Sequence, residues 1–486
     1  MIVEKIYELA RRQPAHPAIV HNGTSIGYAA FARAIAIARE ALIAAGLPRG
    51  KTAGMVAAGN LFETWAIDTA LRSLGADTLA APTLKELLEL DPPGLGCVVT
   101  TAREEGDGRL VGRERAPCAV AVLTPIGLAR IFAGDLPTLP PSHAPYGGHY
   151  VYSSGTTGRF KKIYYDAARE EPRAAARRAA LSLPPGNVHH AMRTALWTGN
   201  GWKAPLAHWW HGGTVIFEQR EGGAFDFMAE QEFGSITLAP PMLKQLLARA
   251  DAAVIRNPDC RVFSGFGLVS KTLIQDLRTR LRRRFVRNYS CSELAVPSLL
   301  SAIDGAEDLD WYAPTPGKRV QIVDESGAPL PPGTQGEVRI ALTELDASGY
   351  ADDRQASARA FRDGFFHPGD LGVMRADGRV SILGRAADVL VVQGRKVPVA
   401  PFEQDLQRMF DGAEVCVFSH LNAKGDEELV IAIESATRPS APKLQDAVRM
   451  FTEFGQVRFV MRSQFPRTDD TARKVRRAAL KALLAS

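Results

Sequence analysis

The chain has 486 residues, 46% of them hydrophobic and 23% charged. That balance excludes a disordered chain, and the length exceeds what one compact core holds, so two or more domains are expected. A net charge of +6 admits an anionic partner such as a nucleotide, coenzyme A or an acidic carrier protein, and does not require a nucleic acid.

The first residues, MIVEKIYELARRQP, predict an amphipathic helix with acidic residues and without the apolar core of a signal peptide. No long uncharged apolar stretch follows, so no membrane span is expected. The five cysteines, Cys97, Cys118, Cys260, Cys291 and Cys416, are scattered, odd in number and without metal spacing, which points to reduced thiols and a cytoplasmic location. YAAFARAIAIAREALIAAG has helical spacing and stops at Gly46, and NLFETWAIDTALRSLGA starts from an Asn cap and stops at Gly75. GCVVT and AVAVLTP are short apolar runs of the kind found in buried parallel strands. SITLAP before MLKQLLARA, and RVFS before KTLIQDLRTRLRRRF, are strand–helix pairs. This alternation predicts an α/β protein with mostly parallel sheets flanked by helices. After Gly384 the pattern changes to a small α+β unit: VLVVQ, PFEQDLQRMF, AEVCVFS, ELVIAIE, KLQDAVRMF, RFVM and KVRRAALKALLA. The expected domains are residues 1–385 and 386–486, joined within GRAADVL.

The stretch YVYSSGTTGRFKKIYYD ends a strand and then places two glycines around two threonines. Such a loop gathers backbone N–H groups and hydroxyls, and with a lysine it can wrap phosphate oxygens. Taken alone it is as readily a polar surface turn. It is not a Walker loop, because the Gly-Lys-Ser/Thr ending and the strand-to-helix setting are both missing.

The stretch resembles the signature loop of the adenylate-forming superfamily, which holds acyl-CoA synthetases, peptide-synthetase adenylation domains and luciferases. Ser154, Gly155, Thr156, Thr157, Gly158 and Lys161 match it, while Phe160 and Lys162 replace a proline and a glycine. The resemblance implies that this loop embraces the β- and γ-phosphates of ATP. Three further segments match in the family's order. NYSCSE is similar to Tyr-Gly-x-Thr-Glu, which implies Tyr289 on adenine, Ser292 at phosphate and Glu293 helping to hold Mg²⁺, an oxygen-seeking ion commonly shared with phosphates. HPGDLGVMRADGRVSILGRAADVLVVQGRKVPVAPFEQDL resembles the family throughout and implies Asp370 on the ribose hydroxyls and Arg385 on ribose or phosphate. Ionised Asp370 only accepts hydrogen bonds and so suits a diol. PRTDDTARKVRRAAL resembles the family's final motif, with Pro466, Arg467 and Thr468 in place and the catalytic lysine two positions late, as Lys474. Arg473 stands where glycine is usual.

The resemblance spans nearly the whole chain. It implies a large N-terminal domain, a mobile C-terminal lid and two half-reactions. A carboxylate attacks the α-phosphate of ATP to give an acyl-adenylate and pyrophosphate; a thiol of CoA or a carrier-protein phosphopantetheine then takes the acyl group and releases AMP. Lys161, Lys474 and Mg²⁺ at Glu293 would offset the repulsion between the two anions. Transfer to an amine, arrest at the adenylate, or a non-catalytic relative are the alternatives, motivated by Ala387 at the usual hinge position and by the shifted lysine. Asp388 is a second hinge candidate, and Gly394 would face the thiol arm. Trp197, Trp202 and Phe266 either bound an acyl cavity or, for the tryptophans, belong to the core; a narrowed site favours short, medium or aromatic acids. The run Arg278–Asn288 either docks an anionic partner or is a solvated helix face. His189 and His190 are neighbours in a strand, point to opposite faces and are not expected to share a metal. Arg476, Arg477 and Lys481 are expected to be the basic start of an amphipathic helix.

Overall fold

The computed structural model describes residues 1–486 except 48–49, 57–58, 141–144, 155–159, 193, 221–231, 249–254, 266–268, 270, 282–283, 303–309, 393–394, 422–426, 452–456, 468–474 and 486. Short apolar runs form two large sheets. The first runs in the order Ala119–Leu123, Leu95–Thr101, Thr52–Val56, Asp77–Ala81, His149–Ser154, Phe160–Tyr165. All its pairs are parallel except the last, an antiparallel hairpin. The second has nine strands. Its centre, from Arg284–Tyr289 through Arg261–Ser264, Ser235–Leu238, Val188–Met192 and Thr214–Phe217 to Pro17–His21, is parallel. Antiparallel strands close both edges.

The helices behave as their local sequence requires. Asn60 caps Leu61–Ser73 by accepting from the Glu63 N–H at 3.2 Å. Every residue of this helix is buried, because it packs against strands of both large sheets. Tyr28–Ala44 ends just before Gly46, whose φ of +63° a side chain would resist. A third sheet, largely antiparallel, contains Gln335–Ala341, Asp370–Met374 and Val380–Arg385. The last two strands are joined by a hairpin at Asp377-Gly378, as RADGRV predicts.

The C-terminal part has its own sheets, Val389–Val392 with Arg395–Pro398, and Val415–Leu421, Glu427–Glu434 and Val457–Arg462. Helices Val399–Met409, Ala441–Arg449 and Arg477–Ala485 complete it. Leu390, Leu406, Val417, Ile431 and Phe451 belong to a core separate from that of the large sheets. The expected α/β architecture with a small α+β C-terminal unit is the one observed. Among the described residues no helix is long and apolar enough to cross a membrane.

One local expectation changes. The run Arg278–Asn288 is not one helix: the helix stops at Leu281 and Arg284–Tyr289 is a sheet strand in which Arg287 is buried over the Tyr312 ring. Arg477 begins the helix Arg477–Ala485, as expected, and its side chain is also paired. It bonds Glu403 and lies 3.5 Å from Asp388.

Candidate active site

The site is assembled from four separated segments. Its first part is the hairpin from His149–Ser154 to Phe160–Tyr165. Ser153 pairs with Lys161 and Ser154 with Phe160, so the two strands deliver both ends of the phosphate-loop candidate. Gly155, Thr156, Thr157 and Gly158 lie outside the described residues, as do Lys474, Thr468, Arg473, Phe266 and Gly394.

The two lysines after the loop have different tasks because neighbours on a strand face opposite sides. Lys161 places its Nζ 4.8 Å from the centre of the Tyr350 ring. Lys162 turns inward, bonds the Leu90 and Asp91 carbonyls and pairs with Asp352 at 2.5 Å. The Lys162 carbonyl also accepts from the Ala351 N–H at 2.9 Å, which fixes Tyr350 beside the hairpin.

Tyr350 links Lys161 to the second segment: its hydroxyl donates to Glu293 Oε1 at 2.8 Å. Burial, then the Glu293 charge, raises the Tyr350 pKa, so it remains a donor. The backbone around Glu293 is held by Asp346, which accepts from the Ala295 N–H at 2.8 Å and pairs with Lys318 at 2.5 Å. Lys203, buried on the helix Gly199–Trp209, holds the same segment from behind. Its Nζ donates to the Leu294 carbonyl at 2.6 Å and lies 3.3 Å from those of Cys291 and Ser292. Burial first, and the Arg177 charge second, push the Lys203 pKa down to about 7. Tyr165 donates its hydroxyl to the Ser292 carbonyl.

Tyr289 ends the last parallel strand of the nine-stranded sheet, at the strand end where open α/β sheets bind ligands. Its hydroxyl donates to Asp370 Oδ2. Asp370 and Arg385 are direct cross-strand partners, which places their side chains on one face, and Arg385 Nε lies 3.2 Å from Asp370 Oδ1. Arg385 also donates to the Pro368 carbonyl at 2.6 Å. Burial opposes its charge, but Asp370, Tyr289, Cys291 and Glu293 outweigh that and raise its pKa. Burial and the Asp370 charge hold the Tyr289 pKa far above its usual value. Cys291 feels both carboxylates: its thiol pKa rises through burial and then through Glu293 and Asp370, so it is a protonated thiol and not a nucleophile at neutral pH.

Thus Lys161, Glu293, Tyr289, Asp370 and Arg385 come together within one electrostatically coupled group, with Ser292 in its backbone. Glu293 Oε1 is taken by Tyr350, and Glu293 is buried. Among the described residues no three His, Cys, Asp or Glu side chains gather as a metal cage. A single carboxylate suits an ion such as Mg²⁺ whose other ligands are phosphate and water. Asp370 accepts from the Tyr289 hydroxyl and pairs with Arg385, the acceptor chemistry that a diol also uses.

Trp202 belongs to the core: it stacks on Trp65 at 5.0 Å and on His149 at 3.9 Å. Trp197 is half-buried and packs against the same core. His189 contacts Ser235 and His208, while His190 meets Phe233 on the other face, so they share no ligand position. Tyr350 and Lys203 are the members that sequence reasoning missed. Tyr350 stands in a polar turn and Lys203 in an apolar helix, and neither carries a local signal.

Residues 148–350 match the family described as AMP-binding enzyme. That span contains Lys161, Tyr289, Glu293 and Tyr350. The chain is 26% identical over 438 residues to a feruloyl-CoA synthase of an Amycolatopsis species, covering 84% of this chain and 83% of that one. O-succinylbenzoate coenzyme A synthetase from Bacillus subtilis, solved with AMP, shares the fold with a TM-score of 0.78 at 19% identity over 98% of each chain. An amide bond synthetase from Marinactinospora thermotolerans does so with a TM-score of 0.79 at 21% identity over 99% of each chain. With the ordered motifs, the match over the segment that carries Lys161, Tyr289 and Glu293, and the likeness along most of the chain to a CoA synthase, the protein belongs to the adenylate-forming superfamily.

Proposed function

We propose that the protein is an ATP-dependent acid–thiol ligase that activates a carboxylic acid as its acyl-adenylate and passes the acyl group to a thiol. In the first half a carboxylate oxygen bonds to the α-phosphorus and the bond to pyrophosphate breaks. In the second, a thiol sulfur bonds to the acyl carbon, its proton is lost and AMP leaves. The observation that carries this reading is the coupled pair of clusters, Tyr289–Asp370–Arg385 and Lys161–Tyr350–Glu293. The first offers a diol acceptor and a cation. The second offers a cation and a carboxylate to the phosphates. Mg²⁺ at Glu293 supplies charge neutralisation when bound.

Ser154, Gly155, Thr156, Thr157, Gly158 and Lys161 are proposed to wrap the β- and γ-phosphates, with Ser292 beside them. Residues 386–486 are proposed as the mobile unit that carries catalytic Lys474. The Ala386 N–H donates to the Gly369 carbonyl at 2.9 Å, whereas Asp388 is tied to Arg477 of the C-terminal helix at 3.5 Å. The Asp388 N–H also donates to the Arg385 carbonyl at 3.0 Å, so Asp388 is tied to both sides, and the proposed pivot lies at Ala387–Asp388. Coenzyme A is the proposed acceptor, because the relatives include a feruloyl-CoA synthase and an indoleacetate–CoA ligase. The same two names support a compact aryl or arylalkyl acid as substrate. Five free thiols, three of them buried, suit the proposed cytoplasmic location.

The test is product identification by mass spectrometry after incubation with ATP, Mg²⁺, aryl acids and coenzyme A. A CoA thioester and AMP are expected. ADP, or a product formed without acid, would refute the reading, while an adenylate that passes only to an added amine would reassign the acceptor.

A further inference from the structure

A small cavity of about 20 Å³ lies behind the site, walled by Tyr165, Glu170, Arg173, Arg177, Trp202 and Lys203 among others. All six of these residues are buried. Four cations lie in or beside this wall, and they divide sharply. Arg72 is compensated by Glu170 and, at 3.6 Å, by Asp68; Glu170 is the wall's own carboxylate, and its second oxygen accepts from the Ile2 N–H at 2.8 Å. Arg173 is compensated by Asp166 at 2.8 Å. Arg177 and Lys203 are not: among the described residues neither has a carboxylate within ion-pair distance. Arg177 carries five N–H donors, yet its side chain has one protein acceptor, the neutral Asn200 Oδ1 at 2.6 Å. Lys203 contacts three backbone carbonyls and the Tyr165 hydroxyl, all neutral.

An uncompensated charge is expensive to bury, and two close together more so. A water molecule in the cavity would meet some donors but neutralise nothing. A single anion would do both. The volume decides its class: room for about one water-sized sphere needs 10–15 Å³, so a halide fits and sulfate, phosphate or a substrate carboxylate does not. We propose that this cavity is a binding site for one chloride-sized monovalent anion, held between the Arg177 guanidinium and the Lys203 ammonium. The protein's own perturbed groups point the same way. Burial lowers the Arg177 pKa to about 10, and the Arg177 charge helps to lower that of Lys203. Since Lys203 grips the carbonyls of Cys291, Ser292 and Leu294, the anion would stabilise the backbone that presents Glu293.

The inference is independent of the proposed reaction and is tested without it. The unfolding midpoint of the full chain is followed as chloride replaces gluconate at constant ionic strength. A saturable rise of roughly 2–4 °C is expected once chloride is well above its dissociation constant. Bromide should act likewise, and Arg177→Met should remove the dependence. Crystals of the unaltered protein grown with bromide should show an anomalous peak between Arg177 and Lys203, which keeps the test open if the variant fails to fold. No saturable response together with no bromide peak would overturn the proposal and leave a water-filled cavity.

Discussion

Replacing Lys203 by methionine removes a buried ammonium and keeps a side chain of similar reach. In the folded chain burial holds its pKa down at about 7, against about 10.4 for an exposed lysine. Between those values the unfolded state binds the extra proton, so stability rises with pH through the window. The cost of burying the charge is full below pH 7 and is relieved above it. One pKa unit corresponds to about 1.4 kcal/mol. Raising the pH from 7 to about 8.5 should therefore stabilise the wild type by about 1.5–2 kcal/mol more than Lys203→Met. The window stops there because Cys97 and Cys416, whose thiol pKa values are raised by burial, begin to ionise in the unfolded chain at higher pH. Methionine also leaves the Leu294 carbonyl without its donor, a loss that is the same at both pH values and cancels from the slope. Urea unfolding of both proteins, in gluconate so that no halide restores the proton, measures the difference. Equal pH slopes would refute the reasoning and give Lys203 an ordinary pKa.

Other substitutions separate the site from its scaffold. Lys162→Met should cost about 2–4 kcal/mol in denaturant unfolding, because two carbonyls and Asp352 lose one buried donor. Lys161→Met should leave the midpoint nearly unchanged and reduce acid-dependent pyrophosphate release. Asp370→Asn should weaken ATP binding roughly 10–100-fold by calorimetry, the worth of a charge-assisted hydrogen bond; unchanged affinity would remove Asp370 from the nucleotide site. Arg477→Met strands Glu403 in the C-terminal core and should lower the stability of that part by about 2–4 kcal/mol, read as earlier proteolysis there.

The legible parts of the molecule were those whose causes are local. The Asn60 cap, the stop at Gly46 and the Asp377-Gly378 hairpin each depend on a few neighbouring residues. Asp370 and Arg385 were visible as motif residues. Their ion pair was not, because it follows from the register of two strands. The order of the nine-stranded sheet, with Val188–Met192 between Thr214–Phe217 and Ser235–Leu238, depends on pairings far apart in sequence and has no local mark. Arg477 shows the same limit from the other side: its place at a basic helix start is local, but its pairing with Glu403 and Asp388 arrives only with folding. Tyr350 and Lys203 act only through segments that arrive from elsewhere in the chain.

The most direct test of the central claim is isotope exchange between pyrophosphate and ATP across a panel of aryl, arylalkyl, short and medium acids, with wild type and Glu293→Gln side by side. The account predicts exchange that requires both Mg²⁺ and one class of acid, and that falls about 100-fold or more in Glu293→Gln, as when a group stabilising transition-state charge is removed. Exchange that persists without acid, or that is untouched by the Glu293 substitution, would contradict it.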